Sequence, residues 1–120
     1  MFKTIEMESP PTEISYHPDF EAMCSIGKEL FQGCCYISYR PNRQLIEFES
    51  FENWLREEMK KEPMTIEEAA YRIFLALRAA LGDIPLQITV SARTTVHASV
   101  EAHYSTEKWR KSCESMRGVL

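Results

Sequence analysis

Between Thr65 and His103 the apolar residues change their period from about 3.6 residues to two, and no other feature restricts the fold as much. Thr65 followed by Glu68 has the spacing of a capping box, in which each side chain answers an unpaired backbone donor at a helix start. Ile66, Ala69, Ala70, Ile73, Phe74, Leu77, Ala80 and Leu81 then share one helical face, and Gly82 supplies a usual left-handed stop. Beyond it Leu86, Ile88, Val90 and Ala92 alternate with Gln87, Thr89, Ser91 and Arg93. After a tight Thr94–Thr95 connection, Val96, Ala98, Val100 and Ala102 face inward, while His97, Ser99, Glu101 and His103 face outward. A helix laid on a half-buried hairpin is the beginning of an α+β layer.

The first half of the chain reads as the same units in reverse order. Gln32 to Arg40 is strand-like through Tyr36, Ile37 and Tyr39. Pro41-Asn42-Arg43 is a turn, and Leu45 to Phe48 is predicted to return from it as a second strand. Ser50 is the expected N-cap of a helix carrying Phe51, Trp54, Leu55 and Met59 on one face, and Pro63 ends that helix. Residues 1–19, with Pro10, Pro11 and Pro18, read as an extended arm or loose first strand. Residues 20–104 form the domain, and 105–120, around Trp109, are a tail. The expectation is a four-stranded antiparallel sheet with both helices on one face, in the order ββααββ.

A chain of 120 residues suits one core, and 44% hydrophobic with 27% charged residues is ordinary for a globular domain. A net charge of −4 gives no overall footprint for wrapping nucleic acid. No apolar run approaches the ~20 residues that cross a bilayer, and Met1 to Glu6 lacks the layout of a signal peptide. Cys24, Cys34, Cys35 and Cys113 show no CxxC spacing, so neither zinc nor dithiol chemistry is expected. A cytoplasmic chain with reduced thiols fits that pattern. Cys24 stands in a loop after a short apolar segment, where a thiol can meet solvent as a nucleophile; cysteines within strands usually fill core.

Phe20 and Cys24, then Tyr36-Ile37-Ser38-Tyr39-Arg40-Pro41, then Ile46-Glu47, Glu67 and Arg93 follow one another in a spacing similar to the QueF-type nitrile reductase family. That family is a branch of the tunnelling-fold superfamily. It carries Phe-x-x-x-Cys-Pro, Tyr-Ile-Ser-Tyr-x-Pro, Val-Glu-Ser-Lys-Ser-Leu-Lys, a His-Glu pair opening the second helix, and an Arg-Gly-Gly turn. The resemblance spans about residues 20–104 and implies a tunnelling fold that oligomerises into a barrel. It implies that Cys24 attacks the nitrile of 7-cyano-7-deazaguanine to give a covalent thioimide, the soft thiolate meeting a carbon made electrophilic by protonation of its nitrogen. Glu67 matches the carboxylate that reads the guanine-like N–H edge, and Glu47 a second acid of the base pocket, with Ser50 and Ile66 as further pocket positions. Without the resemblance, Glu67 is a charge favoured at a helix N-terminus and Glu47 a solvated strand residue.

The departures bear on the cofactor. Phe31 stands where the family has its proton-donating aspartate, and Glu29 is the nearby candidate to replace it. Lysines that bind NADPH phosphates become Glu49 and Glu52, which would repel a dinucleotide by about 1 kcal/mol or more per contact. Ile66 replaces the histidine, Thr94 and Thr95 the turn glycines, and Ser25 the proline. Arg93 is a cofactor contact only if NADPH is used. The pattern is similar to an archaeal QueF-like branch that forms an amidine on tRNA, yielding archaeosine, without a nicotinamide. The alternatives are an NADPH-dependent reductase of queuosine biosynthesis and a non-catalytic deazapurine-binding subunit. Free base and nucleic acid both remain as substrates. The open sheet edges and the resemblance together imply a homo-oligomeric ring, of decamer size in one form, lined by His97, Ser99, Glu101 and His103. Cys24 would then lie near Glu67 or Glu47 in a pocket completed by a neighbouring copy.

Overall fold

The computed structural model describes residues 1–93 and 98–117. The expected Thr94–Thr95 connection, with Val96 and His97, lies outside the described residues. In chain order the elements are β1 (Thr4–Glu6), β2 (Ile14–Tyr16), β3 (Asp19–Met23), β4 (Leu30–Tyr39), β5 (Gln44–Ile46), α1 (Phe48–Lys60), α2 (Ile66–Leu81), β6 (Leu86–Arg93), β7 (Ser99–Ser105) and α3 (Glu107–Arg117). The main sheet runs β2-β4-β6-β7, all antiparallel, with β3 also paired to β4.

The period-two patterns form as expected. Leu86, Ile88, Val90 and Ala92 are buried on one face of β6, together with Cys35, Ile37 and Tyr39 of β4. Against that face lie Phe51, Leu55 and Met59 of α1 and Ala69, Ala70, Ile73, Phe74 and Leu77 of α2. Burying each large side chain here contributes about 1.5–3 kcal/mol relative to leaving it in water. Thr65 caps α2, its Oγ1 accepting from Glu68 N–H at 3.1 Å, and Gly82 closes the helix at φ +82°. Along β7, exposed Ser99, Glu101 and His103 alternate with half-buried Val100, Ala102 and Tyr104.

The first hairpin differs from the expectation. β5 does not return along β4; it pairs with β1 in a separate two-stranded sheet. Both flanks of β4 are already occupied near the turn, because Tyr39 stands between Ile14 of β2 and Leu86 of β6. The sheet therefore has five strands rather than four. β2 and β3 together make one flank, interrupted at Pro18, whose carbonyl still accepts from Cys35 N–H at 2.9 Å. A proline with no N–H is tolerated at such an outer position.

The start of α1 also differs. Phe48 belongs to the helix rather than to a strand, and its N-cap is Glu47 instead of Ser50. The Glu47 carboxylate accepts from Glu49 N–H at 3.2 Å and Ser50 N–H at 2.7 Å. Ser50, inside the first turn, accepts Lys3 N–H at 2.9 Å and donates to the Glu47 carbonyl. Residues 1–19 thus supply β1, β2 and the first residue of β3, and Phe2 is buried with its ring 4.8 Å from Phe51 and 5.5 Å from Trp54. In the predicted tail, buried Thr106 joins α3 to the sheet, accepting Leu86 N–H and donating to the Ile84 carbonyl, both at 3.0 Å.

Candidate functional site

Cys24 opens the loop between β3 and β4, and the backbone of that loop closes on it. Cys24 N–H donates to the Glu29 carbonyl at 2.8 Å, and Lys28 N–H donates to the Cys24 carbonyl at 2.9 Å. The turn this requires puts Lys28 at φ +56°, in the left-handed region where a lysine is uncommon. One consequence is that N–H groups converge on the sulfur, with Gly27 N–H 3.4 Å from Sγ. The Gly27 N–H first, and then those of Ile26 and Lys28, hold the Cys24 thiol below its ordinary range, against desolvation and the Glu29 charge. Two other thiols shift upward: Asp19 raises Cys34, and burial pushes Cys35 up to about 12.

A second set of bonds fixes the loop to α2. Met64 N–H donates to the Met23 carbonyl at 2.8 Å, and Ser25 N–H donates to the Met64 carbonyl at 3.3 Å. Met64 directly precedes the N-cap Thr65, so the start of α2 is carried next to the cysteine loop. A cleft of about 870 Å³ opens there. One wall is the loop, with Cys24, Ile26 and Glu29; a second is the head of α2, with Thr65, Ile66 and Glu67. The third comes from the strand ends, with Gln32 and Cys34 of β4, Ser91 and Arg93 of β6, and Ser99 and Glu101 of β7. Ile26 and Leu30 on its margin are 83% and 62% exposed, the kind of open apolar surface that marks a contact site.

Cys24, Glu29, Ile66, Glu67 and Arg93, named from sequence, all line this one cleft. Glu47 and Ser50 do not; within a single chain they serve the N-terminus of α1. Ser50, with help from Glu49 N–H, holds the Glu47 carboxyl below its usual range. Phe31 lines the cleft and packs edge-on to Phe20 with centroids 6.3 Å apart, so no carboxyl occupies that position. Glu49 and Glu52 are exposed on α1 and stand outside the cleft. Glu52 borders a separate hollow of about 490 Å³ with Asp19, Phe20, Glu21, Arg56 and Lys60, which none of the expected catalytic or base-binding residues lines.

Glu101, Ser91, Gln32 and Cys34 are lining residues that sequence reasoning did not assign to the site. Alternation placed Glu101 on the outward face, but no local signal says that this residue lines a cleft. Among the described residues the lining carries three carboxylates, Glu29, Glu67 and Glu101, against one guanidinium, Arg93. Such a surface favours a neutral, donor-rich or cationic ligand over a phosphate. Among the described residues there is no cluster of three or more metal-ligating side chains, and no helix is long and apolar enough to cross a membrane.

No protein-family model and no curated protein sequence matches the chain. A crystal structure of the archaeosine synthase QueF-Like in the apo form matches with a TM-score of 0.73, over 82% of this chain and 96% of that one, at 18% identity. At that identity the likeness speaks for architecture. The chain has the QueF-like tunnelling fold.

Proposed function

We propose that the chain is a QueF-like enzyme that captures the nitrile of 7-cyano-7-deazaguanine as a Cys24 thioimide and converts it to an amidine without a nicotinamide. The observation that carries this reading is the Cys24 thiol, held below its ordinary range by loop N–H groups, in the same cleft as Glu67. The thiolate adds to the nitrile carbon and a C–S bond forms. One π pair of the C≡N bond moves to nitrogen, which takes a proton passed by Glu29. Ammonia then adds to the thioimide carbon, the C–S bond breaks, and the surplus proton returns to Glu29, leaving the amidine and the thiolate. Glu67 accepts hydrogen bonds from the N–H edge of the base, and Ile66 covers a ring face. Archaeosine-type modification of a 7-deazaguanine, in tRNA or another nucleic acid, is the process this chemistry would serve.

The lining supports a reaction without NADPH. Among the described lining residues Arg93 is the one cation against three carboxylates, and an additional pyrophosphate would raise that repulsion. The test is intact-mass measurement after incubation with 7-cyano-7-deazaguanine. The protein should gain the mass of the base, and Cys24→Ala should abolish the gain. Labelling that persists at Cys34, Cys35 or Cys113 in that variant would reject the assignment. Steady NADPH oxidation with formation of the aminomethyl base would make the chain a reductase instead.

A further inference from the structure

On the outer face of the sheet three cross-strand pairs lead away from the cleft. Arg93 stands opposite Ser99, Ser91 opposite Glu101, and Thr89 opposite His103. Glu101 Oε2 lies 3.3 Å from His103 Nε2, and His103 Nδ1 lies 2.8 Å from Oγ1 of the buried Thr89. A carboxylate can only accept, so Nε2 carries the hydrogen between them. In the neutral ring Nδ1 is then an acceptor, and the Thr89 hydroxyl donates to it. The hydroxyl therefore orients the imidazole, and the imidazole orients the carboxylate. A contact between a carboxylate and a ring N–H as exposed as this one adds little to folding stability. Stability thus does not account for a chain of three aligned groups that ends on a cleft-lining carboxylate.

We infer that Glu101 accepts hydrogen bonds from the donor edge of a flat ring ligand held beside Cys24, with His103 and Thr89 as its positioning residues. This rests on the proposal that the Cys24 cleft is a ligand site. It goes beyond that proposal in adding a second reading carboxylate, supplied by β7, to Glu67 at the head of α2. With acceptors on two walls, a ring presenting both an amino group and a ring N–H is held at two points. A ring that presents only acceptors there would leave both carboxylates unpaired, which is the stronger source of discrimination.

Two measurements test it. The first is binding of 7-cyano-7-deazaguanine by calorimetry, with the melting temperature followed alongside. Glu101→Gln should weaken binding about tenfold to a hundredfold, with melting unchanged. His103→Leu should weaken it as well, whereas His103→Gln, which keeps an N–H near the Nε2 position, should recover most of the loss. Thr89→Val should fall below Thr89→Ser. The second measurement needs no assumption about the ligand. Cys24 is modified with a trimethylammonium-bearing and with a sulfonate-bearing methanethiosulfonate, and each rate is read at the Cys24 peptide by mass. The cationic reagent should be preferred, and Glu101→Gln should reduce that preference by about twofold or more. If the base fails to bind the unaltered protein but the preference still falls in Glu101→Gln, the deazaguanine reading fails and the place of Glu101 stands. Binding and reagent preference both unchanged in Glu101→Gln would overturn the inference.

Discussion

Gly33→Ala tests whether β3 and β4 are locked by a ring lying on a glycine. Gly33 stands opposite Phe20 in the β3–β4 ladder. A Cβ at Gly33 would lie 2.6 Å from Cε1 and 2.9 Å from Cε2 of Phe20, and closer still to Cζ. Unstrained carbons stay about 3.5–4.0 Å apart, so the ring must retreat by about an ångström. It has little room, being 7% exposed and packed beside Phe31. Overpacking of this kind costs about 1–3 kcal/mol, and a ring that swings out instead forfeits a similar burial energy. Alanine recovers ~0.5–1 kcal/mol of backbone entropy relative to glycine. The net expectation is a loss of about 1–2 kcal/mol, or roughly 4–10 °C in melting temperature for a chain of this size. Urea unfolding should show a lower midpoint with an unchanged slope. Combined with Phe20→Leu, the two losses should fall short of additivity by about 1 kcal/mol, because leucine does not reach the new methyl. A neutral or stabilising Gly33→Ala, or strict additivity in the double variant, would refute the reasoning.

The rate of Cys24 alkylation by iodoacetamide should rise with pH through a midpoint below the ordinary thiol value, since the loop N–H groups favour the thiolate. Gly27→Pro, which deletes the nearest donor, should move that midpoint up; an unchanged midpoint would show that the loop amides do not set it. Thr106→Val should destabilise the protein by about 1–3 kcal/mol by leaving Leu86 N–H and the Ile84 carbonyl without their partner, read as a fall in urea midpoint. β7 and the β2–β3 flank are both open edges of the sheet, so light scattering at low micromolar concentration should report a ring of several chains. A mass near 14.0 kDa would reject an assembly with shared sites.

The parts of the fold that were legible are those where one residue suffices to report its own environment. Leu86 to Ala92 alternate because one face of β6 is buried, and Thr65 with Glu68 marks a helix start through bonds made within four residues. The errors arose where a distant partner decides. Leu45 and Ile46 have strand character, but the flanks of β4 were taken by β2 and β6, and only the topology shows that. Glu47 had the look of a strand residue because its capping bonds run forward into a helix that seemed to begin later. The cleft followed the same division. Cys24, Glu29, Ile66, Glu67 and Arg93 were named through an ordered set of motifs, whereas Glu101 becomes a wall only because the Cys24 loop and the head of α2 stand beside the ends of β6 and β7.

The two hydrogen bonds through Met64 have a consequence for how such a site can diverge. They join Met23 and Ser25, on either side of Cys24, to the residue before the cap of α2, three positions ahead of Glu67. The reacting sulfur and a recognising carboxylate are thus coupled through main chain, with no side chain in the link. Repacking of the core beneath them would move both together and leave their separation intact. A lineage, or a designer, changing the ligand would find little purchase in the interior. The separation would change through Thr65 and Ile66, between Met64 and Glu67, where an insertion or deletion slides the carboxylate past the sulfur while the Met64 bonds stay in place. Length variation in that linker, rather than substitution in the core, is where a change of ligand size should first be recorded.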